Sequence, residues 1–215
     1  MTQELTARRV AELIRAAAAS KAPAGSEARK IGDTFSTFMD EAAIERKGLA
    51  PVRPELERIA AIADARSLAA ALGESLRADV DAFNATNFHT PNVLGLWVAQ
   101  DLDAPARYAP YLLQGGLVMP DAEYYTDPSP RMEETRRLYA AHVAKVLSLA
   151  GEADAAAKAA RIVALEKRIA ATHASREDSS DVNKGNNRWP RAEFPSRAPG
   201  LDWDAFFAAA RLDGA

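Results

Sequence analysis

Residues 112–132, LLQGGLVMPDAEYYTDPSPRM, put two glycines, three prolines and a Tyr-Tyr pair between an apolar run and the start of a helix. A plain helical bundle does not need this, because its connections close with one Gly or Asn cap and a few polar residues. The stretch therefore calls for a built crossover. Glycines allow backbone angles that other residues avoid, Pro120 stiffens a turn, and a tyrosine can bury its ring while its hydroxyl finds a partner. At least one of Tyr124 and Tyr125 is expected to be largely buried.

On either side of this stretch the apolar residues recur with the helical period. Residues 3–22 carry Leu5, Val10, Leu13, Ile14 and Ala17 on one side and end before Pro23. Ser26 reads as the N-cap of a second helix, with Ile31, Phe35, Phe38 and Ala42 in series and Gly48 as its stop. Pro54 opens a third helix over 54–65, and Ser67 caps a fourth that runs to about Phe83. Ser129 and Pro130 begin a helix to Ala150 with Tyr139, Val143, Val146, Leu147 and Ala150 inward, ended by Gly151. Another, about 153–174, carries Ile162, Leu165 and Ile169 inward. A last short helix spans about 202–212, with Trp203, Phe206 and Phe207 as its buried side.

Two segments break the helical pattern. DAFNATNFHTPN (81–92) is rich in Asn, Thr and aromatics and leads into VLGLWVAQ (93–100), apolar on both alternating faces, which reads as a buried strand. After the turn-like DLDAP, residues 106–114 read as its hairpin partner, with Pro110 confining that strand to an edge. The polar, turn-rich residues 175–190 read as a loop. The fold class is thus mainly α: a multi-helix lobe, 1–215, with one inserted β-hairpin at about 93–114.

Charge and motif content exclude several functions. With 27 Lys and Arg interleaved among 30 Asp and Glu, the chain has no basic stripe to follow phosphates, so nucleic acid is not an expected partner. The absence of cysteine removes disulfides, thiolate zinc sites and a thiol nucleophile. No segment reaches the roughly 18 apolar residues of a membrane span. Only His89, His142 and His173 are present, none at the i, i+4 spacing of a zinc helix, and there is no HExxH. His142 and His173 read as satisfied helix histidines packed at helix–helix boundaries, whereas His89 stays open. The serines sit at caps or in the polar loop, and Gly115-Gly116 lacks the context of a phosphate cradle. Asp101 and Asp103 read as turn formers, and Asn84-Ala85-Thr86 matches a glycosylation sequon, a pattern short enough for chance. No catalytic or metal-ligating residue is assigned.

The segment VAQDLDAPARYAPYLLQGGLVMPDAEYY at 98–125 resembles the neprilysin/endothelin-converting-enzyme family of zinc metallopeptidases, in which a hairpin V-x-x-D-x-x-x-x-x-x-Y is followed by Q-x-G-L-x-L-P-x-x-x-Y-Y. The similarity extends upstream through KIGDTFSTFMDEAAIERKGLAPVRPELERI (30–59). Downstream it takes in HVAKVLSLAG, IVALEKRIA and PGLDWDAFFAAA. Gln114, Gly115, Gly116, Leu117, Pro120, Tyr124 and Tyr125 are its structural signature here. Where relatives read S-R-x-x-x-R-D-x-x-K-x-Y-N-x-W/M, this chain has SREDSSDVNKGNNRW, with Ser180 for the basic residue and Asn186 for the tyrosine.

The resemblance implies an α-helical lobe from the N-terminal half of a two-lobed peptidase, incomplete relative to the whole enzyme. The HExxH and ExxxD motifs of that enzyme have no matching position here, so zinc is implied for the complete enzyme and no cofactor for this chain. The implied compartment is extracytoplasmic. Expected partners are the catalytic lobe or a second polypeptide, self-association included, with Trp97, Tyr108 and Tyr111 of the hairpin and Trp203, Phe206 and Phe207 of the last helix as an exposed contact surface. The alternative is a stand-alone, non-catalytic relative that binds a peptide or a catalytic partner chain. An unrelated activity on a reused helical scaffold stays open as well.

Overall fold

The computed structural model describes residues 2–76, 90 and 92–212. His89, the sequon and most of the 81–92 segment lie outside them, as does the run of the fourth helix beyond residue 76. Among the described residues the chain is helical apart from one two-stranded antiparallel sheet, as its periodicity predicts. Its contacts fall into two compact units, 1–58 and 59–215, where the sequence suggests one lobe.

In the first unit, α1 (Thr2–Ala19) is followed by α2 (Glu27–Phe38) and α3 (Glu41–Lys47). The single helix expected from Ser26 to Gly48 is thus two. Ser26 caps the first through Arg29 N–H, but at residue 40 the Asp side chain accepts from Ala43 N–H at 2.9 Å and starts a new helix. An aspartate competes for backbone donors in this way better than it continues a helix. Gly48, at φ 50°, is the stop. Pro54 lies in the first turn of α4 (Arg53–Ala60), which is shorter than the 54–65 expected.

The seam between α1 and α2 is made of small residues. A Cβ on Gly32 would lie 2.8 Å from Ala17 O, so the two backbones nearly touch. A helical hairpin can bury only the strip between its helices. The apolar series read as inward stays largely outside that strip: Leu13 is 70% and Phe38 76% exposed.

The second unit begins with α5 (Ala65–Glu74). Its N-cap is Asp64 rather than Ser67: Ser67 is the N3 residue of a capping box, taking Asp64 Oδ1 on its N–H at 2.7 Å and accepting Asp64 N–H on its hydroxyl. Then come β1 (Leu94–Gln100), β2 (Tyr108–Gln114), the short α6 (Glu123–Thr126), α7 (Pro130–Leu149) and α8 (Ala155–Ala170). Ser129 caps α7 through Met132 N–H, and Gly151, at φ 84°, follows its end. The stretch read as a polar loop contains two short helices, α9 (Arg176–Ser180) and α10 (Val182–Gly185), because Ser175 and Asp181 each cap a turn. Two more short helices, α11 (Phe194–Arg197) and α12 (Trp203–Ala209), close the chain.

Two cores hold this unit. The first gathers Ala69, Leu76, Leu96, Trp203, Phe206 and Phe207, and the second Leu117, Met119, Tyr125 and Ala170. Trp203, Phe206 and Phe207 are thus the buried side of their helix, as its pattern predicts, and not the exposed partner surface that the resemblance suggests: they are the inside of this chain's own core. Their rings pack edge-on and tilted at 5.3–5.8 Å, and the Trp203 indole N–H donates to Ala198 O at 2.7 Å. Aromatic area at that density is a packed interior, not a face left waiting.

α5 and α12 meet at Gly73, where an added Cβ would lie 2.2 Å from Phe206 O. Alanine is the better helix former by about 1 kcal/mol, yet forcing a methyl into backbone contact costs about 1–3 kcal/mol. At 2.2 Å from backbone the cost is at the upper end of that range and the clash wins, so Gly73→Ala should lower stability by a net ~2 kcal/mol in urea unfolding. A gain in stability would show that α12 does not pack on α5 this closely.

Candidate functional site

The hairpin pairs Leu94 with Gln114 and Gln100 with Tyr108, the two ends of one unbroken register. Asp101 N–H donates to Arg107 O at 2.9 Å, which puts bonded pairs at 101/107, 99/109 and 97/111. Val98–Pro110 is thus a non-bonded pair, and the N–H that proline lacks would point away from β1. The edge role expected of this strand has that physical basis.

Register also sorts the three aromatics of the arm. Trp97 and Tyr111 are direct cross-strand partners with ring centroids 5.9 Å apart, whereas Tyr108, an odd number of residues from Tyr111, lies on the opposite face. One shared outer face was expected. A period of two does not allow it. Tyr108 is 74% exposed, Trp97 40%, and Tyr111 half-buried. The Tyr111 hydroxyl donates to Gln100 O at 3.0 Å and accepts from Leu102 N–H at 3.1 Å.

At the tip, Asp101 is nearly buried and forms the turn, as its position suggests. One carboxylate oxygen accepts from Asp103 and Ala104 N–H, and the other faces the guanidiniums of Arg107 and Arg188 at 3.3 and 3.4 Å. The backbone donor at Asp103, with the two arginines helping, holds its carboxyl below the ordinary aspartate range. Asn186 donates to Asp103 Oδ1 at 3.2 Å, so the residue that stands in place of the family's tyrosine itself reaches the hairpin.

At the base the chain enters the crossover. Gln114 accepts from Ala174 N–H at 2.9 Å and donates to Ala174 O and Ser179 Oγ. A Cβ on Gly115 would lie 2.2 Å from Asn92 O, and Gly116 takes φ 81° against Ile169. Both glycines are needed, the first for space and the second for its backbone angle. Leu117 and Met119 then enter the second core, and Tyr125 is fully buried. Tyr124 is half-buried. Arg136 of α7 donates to both Tyr124 O and Asp127 O and ties α6 to that helix.

The most constrained chemistry lies behind this crossover. The Tyr125 hydroxyl accepts from Met119 N–H at 3.0 Å and donates to Glu166 Oε2 at 3.2 Å, while the Tyr139 hydroxyl donates to Glu166 Oε1 at 3.0 Å. Glu166 is 7% exposed. Burial, reinforced by the adjacent carboxylate, raises the pKa of both tyrosines above the ordinary 10.0. Sequence reasoning did not single out Glu166, although its spacing from Ile162 and Ile169 puts it on the inward face. On that face α8 buries Ala159, Glu166 and Ala170, while Ile162 and Leu165, expected inward, are exposed. Small residues on the seam let α7 approach, which turns the larger ones outward.

These groups position the elements that carry them, with each carboxylate oxygen already accepting a hydrogen bond. Neither of the two described histidines, His142 and His173, hydrogen-bonds to that carboxylate. His173 Nε2 lies 3.0 Å from Gly115 O, and His142 is exposed on α7. Among the described residues no three His, Cys, Asp or Glu side chains converge as a metal site.

A family model described as peptidase family M13 matches residues 1–214. The zinc metalloprotease Zmp1 of Mycobacterium tuberculosis is similar in several solved states. Its open state is 31% identical over 96% of this chain and 30% of that one, with a TM-score of 0.68. Its complex with an inhibitor gives 31% identity over 94% and 30%, with a TM-score of 0.67. A partial open state gives 29% identity over 96% and 30%, with a TM-score of 0.54. This chain thus spans about 30% of the length of these relatives. No curated protein matches it.

The Tyr-Glu-Tyr network makes a graded set of outcomes. Tyr125→Phe strips Met119 N–H of its acceptor and Glu166 of a donor, and should cost about 2–4 kcal/mol; Tyr139→Phe removes one donor and should cost about 1–2 kcal/mol. Because both folded tyrosines have raised pKa values, their contribution is whole below the unfolded value of 10.0 and is lost as pH rises past it toward the folded values. Unfolding curves from pH 8 to 11 should fall in the parent chain and flatten in the double Phe variant.

Proposed function

The chain belongs to peptidase family M13, and we propose that residues 1–214 are the non-catalytic helical portion of a zinc metalloendopeptidase whose complete form hydrolyses peptides. The observation that carries this reading is a match over essentially the whole chain that spans only 30% of the relatives' length. The chemistry of the site supports it. A catalytic zinc takes three protein ligands and keeps an open position for water. The described residues do not fit that need: Glu166 is committed to two tyrosines, His173 lies against Gly115 O, and His142 stands alone on α7. Zinc and its ligands are therefore assigned, under this reading, to the rest of the enzyme.

The proposed contribution of this portion is shape. Trp97 and Tyr108 on the arm, with Leu13 and Phe38 in the first unit, are large apolar side chains in contact with solvent. Such surface in quantity normally belongs to a partner. The partner proposed is the catalytic lobe, with self-association as the outcome when that lobe is missing. The described helices are not themselves membrane spans, since none is long and apolar enough to cross one.

The test is direct. Purified chain, dialysed and assayed for metal, should hold well under one zinc per molecule and cleave no peptide. In sedimentation it should associate as concentration rises, less so in Trp97→Ser with Tyr108→Ser. One tightly held zinc removed only by chelator would overturn the reading of this portion as non-catalytic. A clean monomer that binds no hydrophobic dye would overturn the partner surface.

A further inference from the structure

The hairpin touches the segment 174–188 at both of its ends. At the base, Gln114 pairs its side-chain amide with the backbone N–H and C=O of Ala174 and with Ser179 Oγ, and His173 meets Gly115 O. At the tip, Asp101 faces Arg188 and Asp103 accepts from Asn186. The two sets of bonds stand about 24 Å apart along the arm, from seven residue steps of roughly 3.4 Å between Asp101 and Leu94, the partner of Gln114. An arm held at one end can pivot about that point. Held at two, it can move only if a set breaks.

Both attachments are themselves anchored. Ala174 follows directly on α8, whose last turn runs on through His173 N–H to Ala170 O. Arg188 precedes Trp189, whose ring lies under the Arg197 guanidinium at 4.0 Å and against Phe194 at 5.1 Å, and Phe194 packs on Trp203 of the first core at 4.9 Å. Between the anchors, α9 and α10 are closed turns capped by Ser175 and Asp181, with Lys184 paired to Asp178. The segment is a strut rather than slack chain.

We propose that the hairpin is a braced arm, fixed at base and tip to this strut, and that Asp101 is the positioning residue that makes the tip brace. Its carboxylate does two jobs at once. One oxygen builds the turn from the Asp103 and Ala104 N–H groups, and the other joins Arg107 of the hairpin to Arg188 of the strut. Turn geometry and brace are thereby a single unit. The direction in which Trp97 and Tyr108 are presented is thus set from the tip, where Asp101 holds Arg107, the neighbour of Tyr108. The inference goes beyond the family reading and does not need it, because it concerns how the arm is held whatever the arm meets.

The two braces differ in kind, which separates them experimentally. The tip brace is partly ionic, and its two guanidiniums are exposed although the Asp101 carboxylate is buried, so salt weakens it; the base brace is built mainly from amide and backbone groups, which salt leaves alone. Hydrogen exchange followed by mass spectrometry in the full chain reads both. Arg188→Ala with Asn186→Ala should speed exchange at residues 101–107 by about threefold or more and leave 155–170 unchanged. About 0.5 M salt should do the same in the parent chain at the tip and not at the base. Asp101→Asn keeps an acceptor for the turn and loses the charge, and should match the double variant at the tip. Adding Gln114→Ala should speed the whole arm by more than the product of the separate effects, since only then is it free to pivot. Unchanged tip exchange in the Arg188→Ala, Asn186→Ala variant would overturn the proposal. So would a rise shared equally by 155–170, which would mean general loosening, or a final variant whose effects merely multiply.

Discussion

A carboxylate inside a protein is tolerated only when its oxygens are met, and much of the second unit is organised around meeting those of Glu166. Tyr125 comes from the crossover and Tyr139 from α7, and both hydroxyls converge on a side chain of α8. Met119 N–H completes the set by donating to Tyr125. Taking a carboxylate out of water costs several kcal/mol, and two hydrogen bonds to a charged acceptor return about 1.5–3 kcal/mol each. The balance is near zero. What the network contributes is therefore position more than stability: the crossover, α7 and α8 have one relative arrangement in which no donor or acceptor is stranded.

That arrangement explains the density of glycine and proline in the sequence between the hairpin and α7. Leaving β2, the chain must pass under Asn92 O, where only Gly115 fits, and turn through a left-handed angle at Gly116. It then delivers Leu117, Met119 and Tyr125 to the second core within a few residues. Ring packing adds to the hydrogen bonds, since Tyr125 and Tyr139 meet edge to face at 6.4 Å. The crossover is short because each residue in it has a fixed place. It joins the two cores, with Leu94, Leu96 and Leu112 of the hairpin against the first and Leu117 at the head of the second.

What was legible in the sequence was what short-range physics decides. Ser26, Gly48, Ser129 and Gly151 mark helix ends because caps and left-handed stops act within three or four residues, and the hairpin shows through alternation and turn chemistry. What was not legible depends on which neighbour arrives. Glu166 has no partner on its own helix to mark it, and only two tyrosines from elsewhere in the chain single it out. Trp203, Phe206 and Phe207 read equally well as an exposed face or a core, and only α5 and the hairpin decide between them. The inward face of α8 turned out to be its small residues, because close approach to α7 favours Ala159 and Ala170 over Ile162 and Leu165. Periodicity gives the existence of a helical face. The partner gives its identity.

The same distinction bears on the exposed apolar residues of the two units, taken separately. In the first, the seam at Gly32 and Ala17 is so narrow that Leu13 and Phe38 cannot share it, so the amphipathic pattern of α1 and α2 carries more apolar surface than their pairing can cover. In the second, the hairpin turns its leucines inward and leaves Trp97 and Tyr108 on opposite faces near the tip. An apolar stripe wider than the contact it serves is informative, since burying it further would need only another helix or another surface at the right distance. A tip that is tied down, with aromatics on both sides of a strand pair, has the form of an arm built to be held still between surfaces. Under the proposal that this chain is the non-catalytic portion of a larger peptidase, such an arm would supply geometry while other residues supply the chemistry.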